Sequence, residues 1–446
     1  TAVDSVSVTA IDAGQTGHCG VLRLEYSNAS LPASPLPESM IIKMSRKDFA
    51  GTLLNVVVRL YRECHVYSDL LPSLKAVVPT CRAYYSDVNA WTKHFILLLE
   101  DASTHPSETV VAASTIGTQS CDPEIMNNKY RALFWTKPPP HDKHMFPPDV
   151  ISPATIQRTR KNMEAAVRAI AAMHAKFWCD ETLLDLDLDS FAVGLALAES
   201  DWAKTRKVVR RQTGQRYEGT TPWRGCADVD GFERMLYDTV MCPFQYGAMK
   251  AGVENWRENW PQHVTVEDWF HLHRQLCFSR IHGDFHTENI FVRQYKRASN
   301  DADIHTDIVV LDWQICDVGF PVKDIAQILS LGGLDLYGTA LHEEAIVKVW
   351  WEELVRLGVN AEEFPFRLAW AQYKYFASHV VALLLLMSNT LNFFSEDHVY
   401  YMHFVDKFND CVRRHGHPVE NYGKLMAIVE TMAEAKKARE KGPVTV

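Results

Sequence analysis

The order of patterns along the chain predicts an α+β fold, with strands first and helices last. Three observations carry this. Apolar and polar residues alternate in short runs over the first hundred positions, the signature of half-buried strands. Apolar residues at steps of three and four begin near Arg158 and mark an amphipathic helix. The last third reads as helical and is rich in large aromatic residues, among them Trp350, Trp351, Trp370, Tyr373, Tyr375, Phe376, Phe393 and Phe394. With 446 residues, 47% of them hydrophobic, the chain can bury a large core, and its length suggests two or three domains or lobes.

Val6 and Val8 alternate with polar neighbours and predict a first strand; Val21 to Tyr26 predicts a second. Between them, Asp12 to Gly20 sets Gly14, Gly17 and Gly20 three apart. Such a turn can lay backbone N–H groups over phosphates, or use glycine for ordinary hairpin sterics. Asn28 to Pro37 is a polar, proline-rich connection. Met40 to Met44 predicts a strand with one lysine, Lys43, and a helix over about Leu53 to Leu70 carries Glu63. Those two residues fit an ion pair in the order a phosphate-binding site requires, or an edge-strand lysine and a solvated glutamate. Cys81–Tyr85 and Phe95–Leu99 predict paired strands around a turn at Ser86–Asn89, and Glu100–Asp101 closes the sheet where a hinge would fall.

Residues 102–152 hold two proline clusters and predict an irregular insertion with a short helix at Glu124–Trp135. The helix from Arg158 has Met163, Val167, Ile170, His174 and Phe177 on one stripe, which makes His174 a hydrogen-bonded core histidine. The basic run Lys204–Arg224 reads as a solvated helix face and loop, with an anion or partner contact as the alternative. Gln294–Asp307 predicts a charged loop. Gly319–Pro321 is a turn before a helix opened by Asp324. The expected domains are therefore 1–101, the insertion 102–152, and 153–446.

Composition excludes several classes. A net charge of −9 argues against general nucleic-acid binding, which needs a basic field. The ten cysteines form no C-x-x-C, so a zinc ribbon is not expected, and scattered single thiols fit a reducing, cytoplasmic compartment. The longest apolar run, Val380–Met387, is too short to span a bilayer. The chain opens at Thr1 with no initiator Met, which leaves room for an N-terminal targeting segment.

The chemistry concentrates in Ile281–Val292, which sets Asp284 five positions before Asn289, and in the apolar strand Ile308–Leu311, which ends in Asp312-Trp313-Gln314. Phosphoryl transfer from ATP needs a carboxylate to orient the acceptor hydroxyl, and oxygen ligands to hold Mg²⁺ against the phosphates. Asp284 suits the first role; Asn289 and Asp312 suit the second. The spacing H-x-D-x-x-x-x-N is that of protein-kinase catalytic loops. The bland alternative is a polar loop between strands. A third reading takes the alternating His282, Asp284 and His286 as a zinc face, but Gly283 interrupts it and no further histidine motif completes it.

With these residues in place, the chain resembles the aminoglycoside phosphotransferase and choline kinase superfamily, and within it the ecdysteroid-kinase-like branch. The carrying motifs are His282-Gly283-Asp284-x4-Asn289, Leu311-Asp312-Trp313-Gln314, Gly319-x-Pro321-x2-Asp324-Ile325, Met173-His174-Ala175-x-Phe177-Trp178 and Leu98-Leu99-Glu100-Asp101, in order over about residues 6 to 335. The resemblance implies a two-lobed protein-kinase-like fold, with a small β-rich N-lobe that binds ATP and a larger helical C-lobe that receives the acceptor. It implies Asp284 as the catalytic base, with Asn289 and Asp312 as Mg²⁺ ligands. Lys43 would be the phosphate contact and Glu63 its partner, with Gly14, Gly17 and Glu100 also near the nucleotide. His282 and Asp324 would support the loop. The insertion is longer than that pattern leads one to expect, and the glycine spacing is looser.

The expected activity is ATP-dependent phosphotransfer to a hydroxyl of a small metabolite, with ATP and Mg²⁺ required. Asp312 is followed by Trp-Gln, not Phe-Gly, and no A-P-E segment follows, which counts against a protein substrate. Aromatic residues beyond 324 and no acidic run near the motifs favour an apolar or amphipathic alcohol over a polycation. The rival is a catalytically silent kinase-fold subunit, with 102–152 or 204–224 offering a surface to a protein partner.

Overall fold

The computed structural model describes residues 3–11, 17–27, 36–47, 60–74, 77–104, 109–115, 153–185, 235–236, 238–240, 242, 276–297, 300–331, 342–387 and 398–440. These fall into two compact units. The first comprises the described residues up to 115, residues 153–173 and the segment His282–Asp317. The second comprises those within His174–Ile281 and all those from Val318 onward. The segment around Asp284 and Asp312 thus groups with the N-terminal strands.

The first unit is built on a five-stranded antiparallel sheet. Its strands are β1 (Val3–Ile11), β2 (Gly17–Tyr26), β3 (Ser39–Ser45), β4 (Ala83–Val88) and β5 (Phe95–Glu100), in the order β1-β2-β3-β5-β4. Period-2 alternation is clearest in β5, where Phe95, Leu97 and Leu99 point into the core. β2 starts at Gly17, so the turn expected over Asp12–Gly20 is shorter; residues 12–16, Gly14 included, lie outside the described residues. A Cβ on Gly17 would meet Met44 O at 2.8 Å, so close strand approach by itself accounts for glycine there.

Two further expectations shift here. β4 runs on through Ser86–Val88, and the turn is Asn89–His94, not Ser86–Asn89. The Asn89 side chain accepts from the N–H groups of Trp91 and Thr92 and so carries the reversal. The helix of Glu63 is described from Arg62–His65 (α1), through a π-helical turn Val66–Leu70, to Leu71–Leu74 (α2). Cys64, Tyr67, Leu71 and Leu74 are buried.

A three-stranded sheet completes the unit: β6 (Thr109–Thr115), then β8 (Ile290–Arg297) and β9 (Asn300–Val310), in the order β6-β8-β9. β6 lies in the stretch read as irregular; its Thr- and Val-rich run pairs along β8. The charged segment 294–307, expected as a loop, is mostly a hairpin. Its charges pair across the strands: Arg293 faces Asp307 in register, and Arg293 Nη2 lies 3.5 Å from Asp307 Oδ2. Val310 N donates to Pro79 O, which ties the hairpin to the five-stranded half of the unit.

Helix α3 (Pro153–Lys176) starts earlier than the stripe from Arg158 indicates, with proline at its first position, where the missing N–H costs nothing. Met163, Ala166, Val167 and Ile170 are buried on its apolar stripe. The second unit takes its last three residues and the short strand β7 (Ser279–Ile281), which pairs with β10 (Asp317–Gly319). Its helices are α4 (Val322–Leu331), α5 (Glu343–Arg356), α6 (Phe366–Met387), α7 (His398–His415) and α8 (Pro418–Glu440). Trp350, Tyr373, Tyr375 and Phe376 are buried. No described helix is long and apolar enough to cross a membrane. The Glu124–Trp135 helix and the basic run 204–224 lie outside the described residues.

Candidate active site

Lys43 sits in β3, an interior strand, between Cys19 of β2 and Leu97 of β5. Its ammonium lies 2.6 Å from Glu63 Oε2 and 2.5 Å from Asp312 Oδ1. Burial by itself would lower the Lys43 pKa; Asp312 and Glu63 overturn that and hold it above its ordinary value. Burial pushes Glu63 up, to about 7, against the pull of Lys43. The lysine is therefore a fixed cation between two acids, not the edge lysine of the bland alternative.

Asp312 stands two residues past the end of β9, with φ of 59°, a left-handed conformation uncommon for a non-glycine residue and held by its surroundings. Those surroundings are visible. Leu311 N donates to Asn289 O at 2.8 Å, and Trp313 is buried with Nε1 donating to Val310 O. The Trp313 ring lies 4.6 Å from that of His282.

Asp284 follows Gly283, whose φ is +83° and where a Cβ would stand 2.3 Å from Ile315 O. Only glycine fits, and this explains why Gly283 breaks the zinc pattern. The Asn289 side-chain amide donates to Asp284 O at 3.0 Å and lies 3.3 Å from Asp284 Oδ2. His286 Nε2 is 3.6 Å from Asp284 Oδ2 and 3.1 Å from Asn289 Nδ2. Burial by itself would raise the Asp284 pKa, but His286, His282 and Asn289 outweigh it and hold the carboxyl below its usual range. Against its own burial, His286 is held above the usual histidine value, chiefly by Asp284.

His282 is a structural histidine. Its Nε2 pairs with Leu311 O at 2.8 Å and its Nδ1 accepts from Asp284 N at 3.2 Å, so neither nitrogen is left for zinc. Among the described residues no cluster of His, Cys, Asp and Glu forms a metal cage. A hard cation bound with a nucleotide asks for less: one or two protein oxygens, the rest coming from phosphate and water. Asn289 turns its amide nitrogen to Asp284, and the Asp312 side chain is 28% exposed, so each residue has an oxygen of the type such a cation takes. That donor set fits Mg²⁺.

Two expected site residues have different surroundings. The Glu100 carboxylate accepts from Arg82 N at 3.1 Å and lies 3.6 Å from Arg293. Asp324, fully buried in the second unit, lies 3.1 Å from His174 Nε2, while Trp350 donates to His174 Nδ1. The core role expected for His174 is thus what the structure shows. His286 was legible only as part of a zinc alternation; its place beside both Asp284 and Asn289 depends on the tight turn Thr287–Asn289, which that pattern did not announce.

A lysine held between two carboxylates, next to an aspartate–asparagine pair, supplies the residue types of a phosphoryl-transfer site. The phosphotransferase enzyme family model matches residues 242–347, which include Asp284, Asn289, Asp312 and Asp324. No curated protein matches the chain. Similar solved structures include a choline kinase from Cryptosporidium parvum Iowa II, at 10% identity over 93% of this chain and 92% of that one, with a TM-score of 0.46. They also include a microcompartment-associated aminopropanol kinase at 11% identity, over 93% and 95%, with a TM-score of 0.36. A third is an amicoumacin kinase in complex with AMP-PNP and Ca²⁺, at 11% identity, over 90% and 88%, with a TM-score of 0.37.

Proposed function

We propose that this protein is an ATP-dependent phosphotransferase that moves the γ-phosphate of ATP to a hydroxyl of a small molecule. The carrying observation is the Lys43–Glu63–Asp312 cluster in one unit with Asp284 and Asn289. Glu63 holds the Lys43 ammonium charged and aimed, so that it can take a phosphate oxygen. Asp284, held below the usual carboxylate range, is ionised at neutral pH and can orient an acceptor hydroxyl and take its proton. Mg²⁺, held by Asn289 and Asp312, would supply charge neutralisation at the phosphates. A silent scaffold has no use for a left-handed Asp312 or for a lysine buried between two acids, and both cost stability.

The acceptor we assign is an apolar or amphipathic alcohol, in line with the ecdysteroid-kinase-like resemblance. Support comes from the two isolated acids near the motifs. Asp317 lies 3.7 Å from Arg62 and Asp324 is paired with His174, so neither is set aside for a polycation.

The test is incubation of the protein and of Asp284→Asn with Mg-ATP and a metabolite extract, read by mass spectrometry. A species heavier by one phosphate, formed by wild type alone, is the expected result. Bound ATP with no phosphorylated species in any extract would favour the silent reading.

A further inference from the structure

Cys179 and Cys277 stand apart from the other cysteines. They are 98 positions apart in sequence (277 − 179), yet Cys179 N donates to Phe278 O at 2.8 Å, which sets the two residues side by side within the second unit. Each thiol is the largest single influence on the other's acidity, as expected of neighbouring side chains. Both backbones are left-handed, with φ of 50° and 61°, in a set of only five non-glycine residues with positive φ among those described. Of the other three, Lys93 lies in the β4–β5 turn, His342 caps α5, and Asp312 belongs to the candidate site. Strain of this kind persists where the fold over-determines a residue, and it concentrates at functional positions.

Accessibility separates them too. Among the described cysteines Cys64, Cys81, Cys242, Cys316 and Cys411 are buried, whereas Cys19, Cys179 and Cys277 are partly exposed, and of these three only Cys179 and Cys277 lie side by side. The neighbouring Cys277 holds the Cys179 thiol below its ordinary value despite burial, and Cys179 together with burial pushes Cys277 up. A more acidic thiol beside a less acidic one is the pairing of an attacking and a resolving cysteine. Phe278, Leu183 and Val318 form a small apolar cluster against which Cys179 packs.

We propose that Cys179 and Cys277 are a redox-active dithiol that a peroxide converts to an intramolecular disulfide. The Cys179 thiolate attacks one peroxide oxygen, the O–O bond breaks, and a sulfenic acid and hydroxide result. Cys277 loses its proton to that hydroxide, giving the first water, and attacks the sulfenic sulfur; the S–O bond breaks and the second oxygen leaves as hydroxide, which takes up the proton that Cys179 released to solvent on ionising and becomes the second water. In total two thiols give two electrons and two protons to one peroxide, with one disulfide and two waters as products. A small dithiol reductant reverses the step. This site does not depend on the phosphotransfer reading.

The experiment treats the full chain with a few equivalents of hydrogen peroxide, blocks free thiols by alkylation, and maps peptides without reduction. The expected result is a linked pair of peptides containing Cys179 and Cys277, lighter by two hydrogens, with loss of two alkylatable thiols per chain. Dithiothreitol restores both. Cys179→Ser and Cys277→Ser each abolish the link, while Cys316→Ser, at a buried thiol, leaves it intact. The wild-type map decides even where a variant fails to fold. A link between other cysteines, over-oxidation of Cys179 without a link, or no thiol loss at peroxide concentrations that oxidise free glutathione would overturn the proposal.

Discussion

Both units contain a buried carboxylate pressed against a cation, and the contrast between them separates architecture from chemistry. In the second unit Glu343 is saturated. It accepts from the Tyr373 hydroxyl at 2.9 Å, pairs with Arg414, and lies 2.7 Å from His415 Nε2, which joins α5, α6 and α7. Its side chain is 6% exposed, and although burial opposes it, His415 and Arg414 hold its carboxyl below the usual value. In the first unit, acids outnumber the cations they face. Glu63 and Asp312 share Lys43, Asp284 lies 3.6 Å from the His286 ring nitrogen, and Asp312 and Asp284 remain 28% and 18% exposed. A closed, neutralised cluster fastens helices together. An open one with excess oxygen donors is what the proposed nucleotide and cation site requires.

The widest separation between the clusters comes from changing one acid in each. Asp284→Asn is expected to lower turnover by about 10²–10⁴, the usual cost of losing a positioned base, and to leave the melting temperature close to wild type. Glu343→Ala is expected to do the reverse. It leaves His415 without its carboxylate and Arg414 with Asp410 as its remaining acid, and costs about 3–5 kcal/mol of stability, read by denaturant unfolding, with ATP affinity of the folded fraction unchanged. Turnover near wild type in Asp284→Asn would merge the two clusters into one structural class.

A smaller effect sharpens the same contrast. Lys43→Met strands Glu63 and is expected to lower both turnover and stability. Adding Glu63→Leu should recover stability, because an apolar pair can replace a buried ion pair at no net loss, but not turnover. Recovery of turnover in the double variant would show that another lysine serves the phosphates.

The smallest effect is set by pH. Burial first, and Lys323 second, lower the His379 pKa from 6.5 to about 3. The folded chain keeps this histidine neutral while the unfolded chain binds the proton, so the unfolded state gains as pH falls. The contribution is complete above about 6.5 and is lost toward 3, by at most about 1.4 kcal/mol per unit. His379→Leu should flatten that slope in acid unfolding curves; an unchanged slope would place the acid sensitivity elsewhere.

Sequence reasoning reached the parts whose physics is local. Period-2 alternation gave β1 and β2, short apolar runs gave β3 and β5, steps of three and four gave α3, and fixed spacing gave Asp284 with Asn289. Long-range pairing was harder. Residues 294–307 look like a solvated loop because their charges are satisfied only once Arg293 meets Asp307 across the hairpin. β6 was hidden because its partner, β8, lies about 180 residues further on, and pairing register across such a distance leaves no local mark. The partners of His174 were equally distant: its stripe showed that it would be buried, but Asp324 and Trp350 come from other helices. His286 beside Asp284 needed the geometry of a three-residue turn, not a pattern.

The central claim is that Lys43, Asp312 and Asn289 bind a nucleotide together with a divalent cation. The direct measurement is a calorimetric titration of the full chain with ATP, with and without Mg²⁺, for wild type and Asp312→Ala. The account predicts ATP binding that depends on Mg²⁺ in wild type, little affinity for Mg²⁺ by itself, and loss of the Mg²⁺-dependent binding in Asp312→Ala. ATP affinity that ignores both Mg²⁺ and the loss of the Asp312 carboxylate would contradict it.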